Sequence, residues 1–287
     1  MKSKIIYFFL FFFFHHSPPA HGAHADGWLK MRRALVGISL PCLALAYQLA
    51  ENDQIKTSIR HAFEPRKFLS IPAENFLRSF SVLLSHESGH GIAGRLCGIK
   101  NGSINLGGDR RNPPLLGAGH INVRGLDPAY GNWVGTSKAP LSKGNRIAIA
   151  LAGPLMGLAG NFLSKLALGK SPFTTDKWDL LQAIHLIPWT LGNMQNDGYH
   201  VLQELFPAIN DLSPDIFNSS LGITLLAAAL AHTYQLRSQL KKANLSARDN
   251  VALFFLALFN CGAYGFFHID LEVNKEISKR CICFFHK

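Results

Sequence analysis

The chain has 287 residues, 48% of them hydrophobic, and its 29 Lys and Arg outnumber its 18 Asp and Glu to give a formal charge of +11. The length admits one or two domains, and the basic excess does not make a nucleic-acid-binding protein, because the cations lie between apolar runs instead of gathering on one binding motif. Five cysteines form an odd set with no CxxC pair, which excludes a disulfide framework and a structural zinc knuckle.

Mean hydropathy is only +0.11, so the fold reading rests on where the apolar residues fall. They cluster at residues 5–14, 34–50, 68–84, 147–168, 180–191, 221–232 and 251–267, and several of these runs approach the ~20 residues that cross a bilayer. The first is too short to span. Lys2 and Lys4 precede it and Ala23-His24-Ala25 follows, so residues 1–25 read as a signal peptide. Residues 26–67 then read as an N-terminal helix over 34–50, spanning or interfacial despite Pro41, and a polar connector over 51–67.

Pro72 and Ala73 lead into a predicted helix over 74–96, closed at Gly98. Its C-terminal part carries His86-Glu87-Ser88-Gly89-His90, an HExxH pentad directly after Val82-Leu83-Leu84. Residues four apart stack on one helix face with Cβ atoms about 5–6 Å apart, so His86 and His90 can bind one tetrahedral metal ion while Glu87 reaches a water on it. Zinc would lower that water's pKa to about 7, and Glu87 would take its proton as general base during attack on a carbonyl. The apolar setting of these ionisable groups itself points to function.

Residues 99–146 change character. Short β-prone stretches at 103–106 and 120–123, among glycines and prolines, predict hairpins or a β-like loop. Seven basic against two acidic residues place this insert on the cytosolic side by charge, together with residues 30–33 and 275–287. Residues 108–119 read as an ordinary loop, and His120 as a loop histidine. The run 147–168 carries Gly153-Pro154, Gly157 and Gly160, small residues that let a neighbouring helix approach closely in lipid. Residues 178–205 form the next unit, broken at Pro188. Asp197 in Asn196-Asp197-Gly198 follows closely on apolar sequence, where a carboxylate is costly unless paired or metal-bound, and is therefore the candidate third zinc ligand. Residues 206–287 complete the chain with helices and a basic tail.

Taken in order, the HExxH helix, the β-like insert, Gly153-Pro154, and His185-Leu186-Ile187-Pro188 with Asp197-Gly198 resemble the site-2 protease family of intramembrane zinc metalloproteases, over residues 68–205. The resemblance implies an all-α polytopic membrane protein: a three-helix metalloprotease core, a small β-like insert and flanking transmembrane helices, in a membrane such as the bacterial inner membrane. It implies Zn2+ on His86, His90 and Asp197, with Glu87 as base. Its implied reaction is cleavage of a membrane-anchored protein substrate within or near its transmembrane helix, aided by pairing of that segment with the insert as an added strand. Two positions depart from the family pattern. His185 stands where an asparagine is common, a residue that would bond substrate or oxyanion, so that role falls open to Asn193 or Asn196; Gly157 also replaces a frequent asparagine.

Two other classes compete. A catalytically inactive relative acting as a membrane-embedded binding or scaffold protein would not need Glu87. A soluble zincin fails on Ala93 and Leu96, which stand where the metzincin extension requires Gly and His, and would otherwise need a downstream ligand such as Glu204.

Overall fold

The structure, a computed structural model, describes residues 37–108, 113–125, 127–169, 176–191, 194–240 and 244–262, with 269 and 271. The expected signal peptide, the end of the last apolar run and the basic tail lie outside these residues. The described chain is mostly helical with a small mixed sheet. In order it runs α1 (Gly37–Leu49), α2 (Asp53–Ala62), α3 (Pro65–Leu96), β1 (Ser103–Gly107), β2 (Leu116–Ala118), β3 (Ile121–Val123) and β4 (Asp127–Val134). It continues with α4 (Lys143–Ala167), α5 (Lys177–Leu186), the strand pair β5 (Thr190–Leu191) and β6 (Met194–Gln195), and α6 (Asp197–Leu205). A 3-10 turn at Pro207–Asp211, α7 (Pro214–Gln239) and α8 (Ala247–Gly262) complete it.

Two sequence expectations are corrected. The polar connector contains α2, whose N-cap Asn52 accepts from the Gln54 amide at 2.9 Å and whose buried Ile55 and Ile59 join the hydrophobic core. The HExxH helix α3 begins at Pro65, not near residue 74: Pro65 occupies the first turn, where its missing N–H costs nothing, and the helix continues through Pro72. It ends as expected at Gly98, whose φ of +90° a residue with a Cβ rarely adopts.

Helices α3 and α4 form the largest interface in the described chain. A Cβ on Gly89 would stand 2.2 Å from the Ala152 carbonyl oxygen, so α4 passes the HExxH turn at backbone contact. The insert is a sheet of order β2-β3-β1-β4, in which β1 pairs parallel with β3 (Ile104 opposite Ile121) and antiparallel with β4 (Ile104 opposite Trp133). The Ile104 amide donates to His120 O, and Leu106 O accepts from Arg124, so even-numbered β1 residues face β3 and odd-numbered ones face β4. Trp133 and Gly131, opposite the even-numbered residues, therefore turn their backbone groups to the free edge of β4, which pairs with no other described strand. The Trp133 indole locks this strand onto α3: a Cβ on Gly94, Gly102 or Gly135 would stand 2.5–2.6 Å from its ring atoms.

The expected run 178–205 is two helices joined by the β5–β6 hairpin. Its organiser is buried Asn196, which caps α6 by accepting from the Tyr199 amide at 3.0 Å and also accepts from the Trp189 amide at 3.0 Å. Its Nδ2 group donates to the carbonyls of His185 at 3.0 Å and Ile187 at 2.7 Å. The main apolar core lies elsewhere, where Ala46, Ile55, Leu236, Leu253 and Leu256 of α1, α2, α7 and α8 meet. Asp249 at the start of α8 accepts from the Glu51 and Asn52 amides at 2.7 and 2.8 Å and so joins that end of the bundle to the α1–α2 link.

Replacing Asn196 with Ala leaves buried backbone groups on both sides of the hairpin unpaired. The expected cost is about 2–3 kcal/mol. A lowered thermal unfolding midpoint of the detergent-solubilised protein checks it; an unchanged midpoint would show that the hairpin does not depend on this side chain.

Candidate metal centre

The structure brings His86, His90 and Asp197 together from α3 and the first turn of α6. The two Nε2 atoms are 3.1 Å apart, with His86 Nε2 3.2 Å from Asp197 Oδ2 and His90 Nε2 3.3 Å from Asp197 Oδ1. Donor atoms about 2.0–2.1 Å from a tetrahedral ion stand roughly 3.3–3.4 Å from one another. Two imidazole nitrogens and a carboxylate at these separations fit one metal ion with an open fourth position.

Both rings are held from behind. His90 Nδ1 is 2.7 Å from the Ile149 carbonyl oxygen, an acceptor that fixes the proton on Nδ1 and leaves Nε2 to bind a metal. His86 Nδ1 lies 2.8 Å from Gln182 Oε1. The motif glycines make room for these ligands. A Cβ on Gly153 would stand 2.2 Å from His90 Nε2, and one on Gly198 would stand 2.4 Å from the Leu186 carbonyl oxygen, blocking the approach of α6 that delivers Asp197.

Glu87 is 5% exposed and faces the insert, not water. The Trp133 backbone on the free edge of β4 hydrogen-bonds its carboxyl, and a Cβ on Gly131 would stand 3.0 Å from its Cγ. The general-base candidate thus sits between the metal trio and an edge strand. His185 sits at the rim, its side chain 30% exposed, with Nδ1 3.5 Å from Asp197 Oδ2 and its ring centroid 4.8 Å from that of His86.

The residues offered for the missing asparagine do not take its place. Asn196 is turned onto backbone groups, and Asn193 lies outside the described residues. Glu204 pairs with Arg146 at 2.5 and 2.7 Å, His200 is exposed on the same helix, and neither joins the trio. His120 is exposed at the β2–β3 turn. Sequence reasoning missed Gln182 and Trp133; the signal for the first was Gly157, whose lost side chain leaves space that Gln182 fills. Comparison with protein-family models, curated proteins and solved structures found no match to this chain.

Gly153→Ala is expected to drive the His90 ring from its position and to lower metal affinity about tenfold or more. Metal content after dialysis, with Gly144→Ala as control because no atom lies within 4 Å of a Cβ there, provides the check. Equal metal retention in both variants would contradict the packing argument.

Proposed function

We propose that this chain is a zinc-dependent endopeptidase that cleaves a membrane-anchored protein substrate within or near its transmembrane helix. The observation that carries the reading is the placement of a buried carboxylate, Glu87, directly beside the first member of a two-histidine, one-aspartate trio. The HExxH, Gly153-Pro154 and Asp197-Gly198 elements of the site-2 protease pattern converge on one centre, which supports membership of that class.

Membrane embedding is supported by helix α4 itself. Its inner face carries Gly153 against His90, while Leu155, Leu163 and Leu166 on its outer side are 56%, 63% and 51% exposed. Helix α7 likewise exposes Ile223 at 68% and Leu230 at 55%. These two helices are long and apolar enough to cross a membrane, and an apolar surface on both suits a lipid surround better than water. A multi-pass arrangement follows if α3 spans beside α4.

Zinc held by His86, His90 and Asp197 would supply Lewis acidity, making a water acidic near pH 7 and polarising a carbonyl. Glu87 accepts the proton of the attacking water and passes it to the leaving amide nitrogen. The Ile149 carbonyl, 2.7 Å from His90 Nδ1, keeps His90 in the tautomer that presents Nε2. The free edge of β4, whose outward backbone groups lie beside Glu87, receives the unwound substrate segment as an added strand. His185, at the open side of the trio, is the side chain best placed to donate to the carbonyl oxygen as charge develops on it.

The test is to purify the protein in detergent, measure zinc per chain and follow cleavage of a model transmembrane substrate. Glu87→Gln is expected to keep its zinc and to lose about 10²–10⁴-fold in rate. Stoichiometric zinc with equal cleavage by the wild type and Glu87→Gln would sink the protease reading and favour the scaffold alternative.

A further inference from the structure

Helix α5 supplies no member of the trio, yet its buried Gln182 reaches the buried His86. Its Oε1 lies 2.8 Å from His86 Nδ1. Across the interface, a Cβ on Gly157 of α4 would stand 2.1 Å from that same oxygen and 2.5 Å from Cδ. Any side chain at 157 would therefore evict the amide.

The height of α5 is fixed one turn earlier by a partly buried ionic cluster. Asp179, three residues before Gln182 and on the same helix face, pairs with Lys165 and accepts from Asn161 Nδ2 at 2.8 Å. Asp176, the N-cap, pairs with Arg78 and accepts from Asn161 at 2.9 Å. Arg78 belongs to α3, which carries His86, and Asn161 and Lys165 belong to α4, which carries Gly157. The HExxH helix and the helix packed against it thus also hold the helix that reaches His86.

We propose that Gln182 is the positioning residue for His86: its amide oxygen holds the proton on Nδ1 and so presents the Nε2 lone pair to the metal, and residue 157 is glycine because that amide needs its space. An imidazole offers a metal only the nitrogen that lacks the proton, and an acceptor on the opposite nitrogen both selects that tautomer and fixes the ring plane. This rests on the metal site of the proposed reading but not on proteolysis.

The experiment measures the zinc dissociation constant by chelator competition and the absorption spectrum of the cobalt(II)-substituted protein for four variants in detergent. Gln182→Leu, close in volume but without an acceptor, is expected to weaken zinc about 10–100-fold and to shift the cobalt bands. Gln182→Glu keeps the acceptor and is expected to stay within about tenfold of the wild type. Gly157→Ala is expected to behave like Gln182→Leu, and the double variant Gly157→Ala/Gln182→Leu to be no worse than either single change, because both remove one interaction. Wild-type affinity and spectrum in Gln182→Leu overturn the proposal. So does a folded Gln182→Glu that loses as much affinity as Gln182→Leu, or fully additive losses in the double variant. Failure of the Glu87→Gln cleavage test would leave these binding results untouched, which separates the two claims.

Discussion

Backbone contact between α3 and α4 is the constraint on which the rest depends. Where Gly89 meets Ala152 and Gly153 meets His90, the helices are closer than any pair of side chains would allow. That approach puts the Ile149 carbonyl within reach of His90 Nδ1 and leaves room beyond Gly157 for a side chain from a third helix. Close packing without bulky side chains is also how helices associate where lipid offers no hydrophobic drive. One set of glycines therefore serves helix packing and the placing of the trio together.

The same economy governs the turn before α6. Asn196 spends its whole amide on the backbone of the α5–β5 link and on the cap of α6, and the residue after it is the third donor of the trio. The Asp-Gly pair gains its meaning from that turn. The aspartate faces the histidines, and the glycine lets the helix start against the Leu186 carbonyl. The main hydrophobic core, by contrast, is formed by α1, α2, α7 and α8, so the trio is held by polar and small-residue contacts instead of by that core.

Much of this centre was legible because its chemistry is written in residue spacing. The i, i+4 histidines identify a helix face, and an aspartate beside apolar sequence asks for a partner. The β-prone stretches of the insert showed where β1 and β3 fall, but not that they run parallel, since strand order depends on contacts between segments that the sequence does not rank. Helix α2 was hidden by its polarity; Asn52-Asp53, an N-cap and an acidic first turn, was the available sign. Gln182 was not read, because Gly157 marks a space but not which side chain fills it. A glutamine within a helix carries no signature, and its partner lies ninety-six residues away on another helix.

The cluster of Arg78, Lys165, Asp176 and Asp179 bears on how such a molecule is made. Its two cations are translated before either of its anions, and the first precedes its counter-charge by 98 residues. Arg78 and Lys165 are therefore both synthesised before the carboxylates of this cluster exist. Only when α5 docks is the charge closed off, and with it the seat of Gln182. The helix that brings the two carboxylates to Arg78 and Lys165 is thus also the one that carries Gln182 to His86, ahead of α6 and its Asp197 in the order of synthesis.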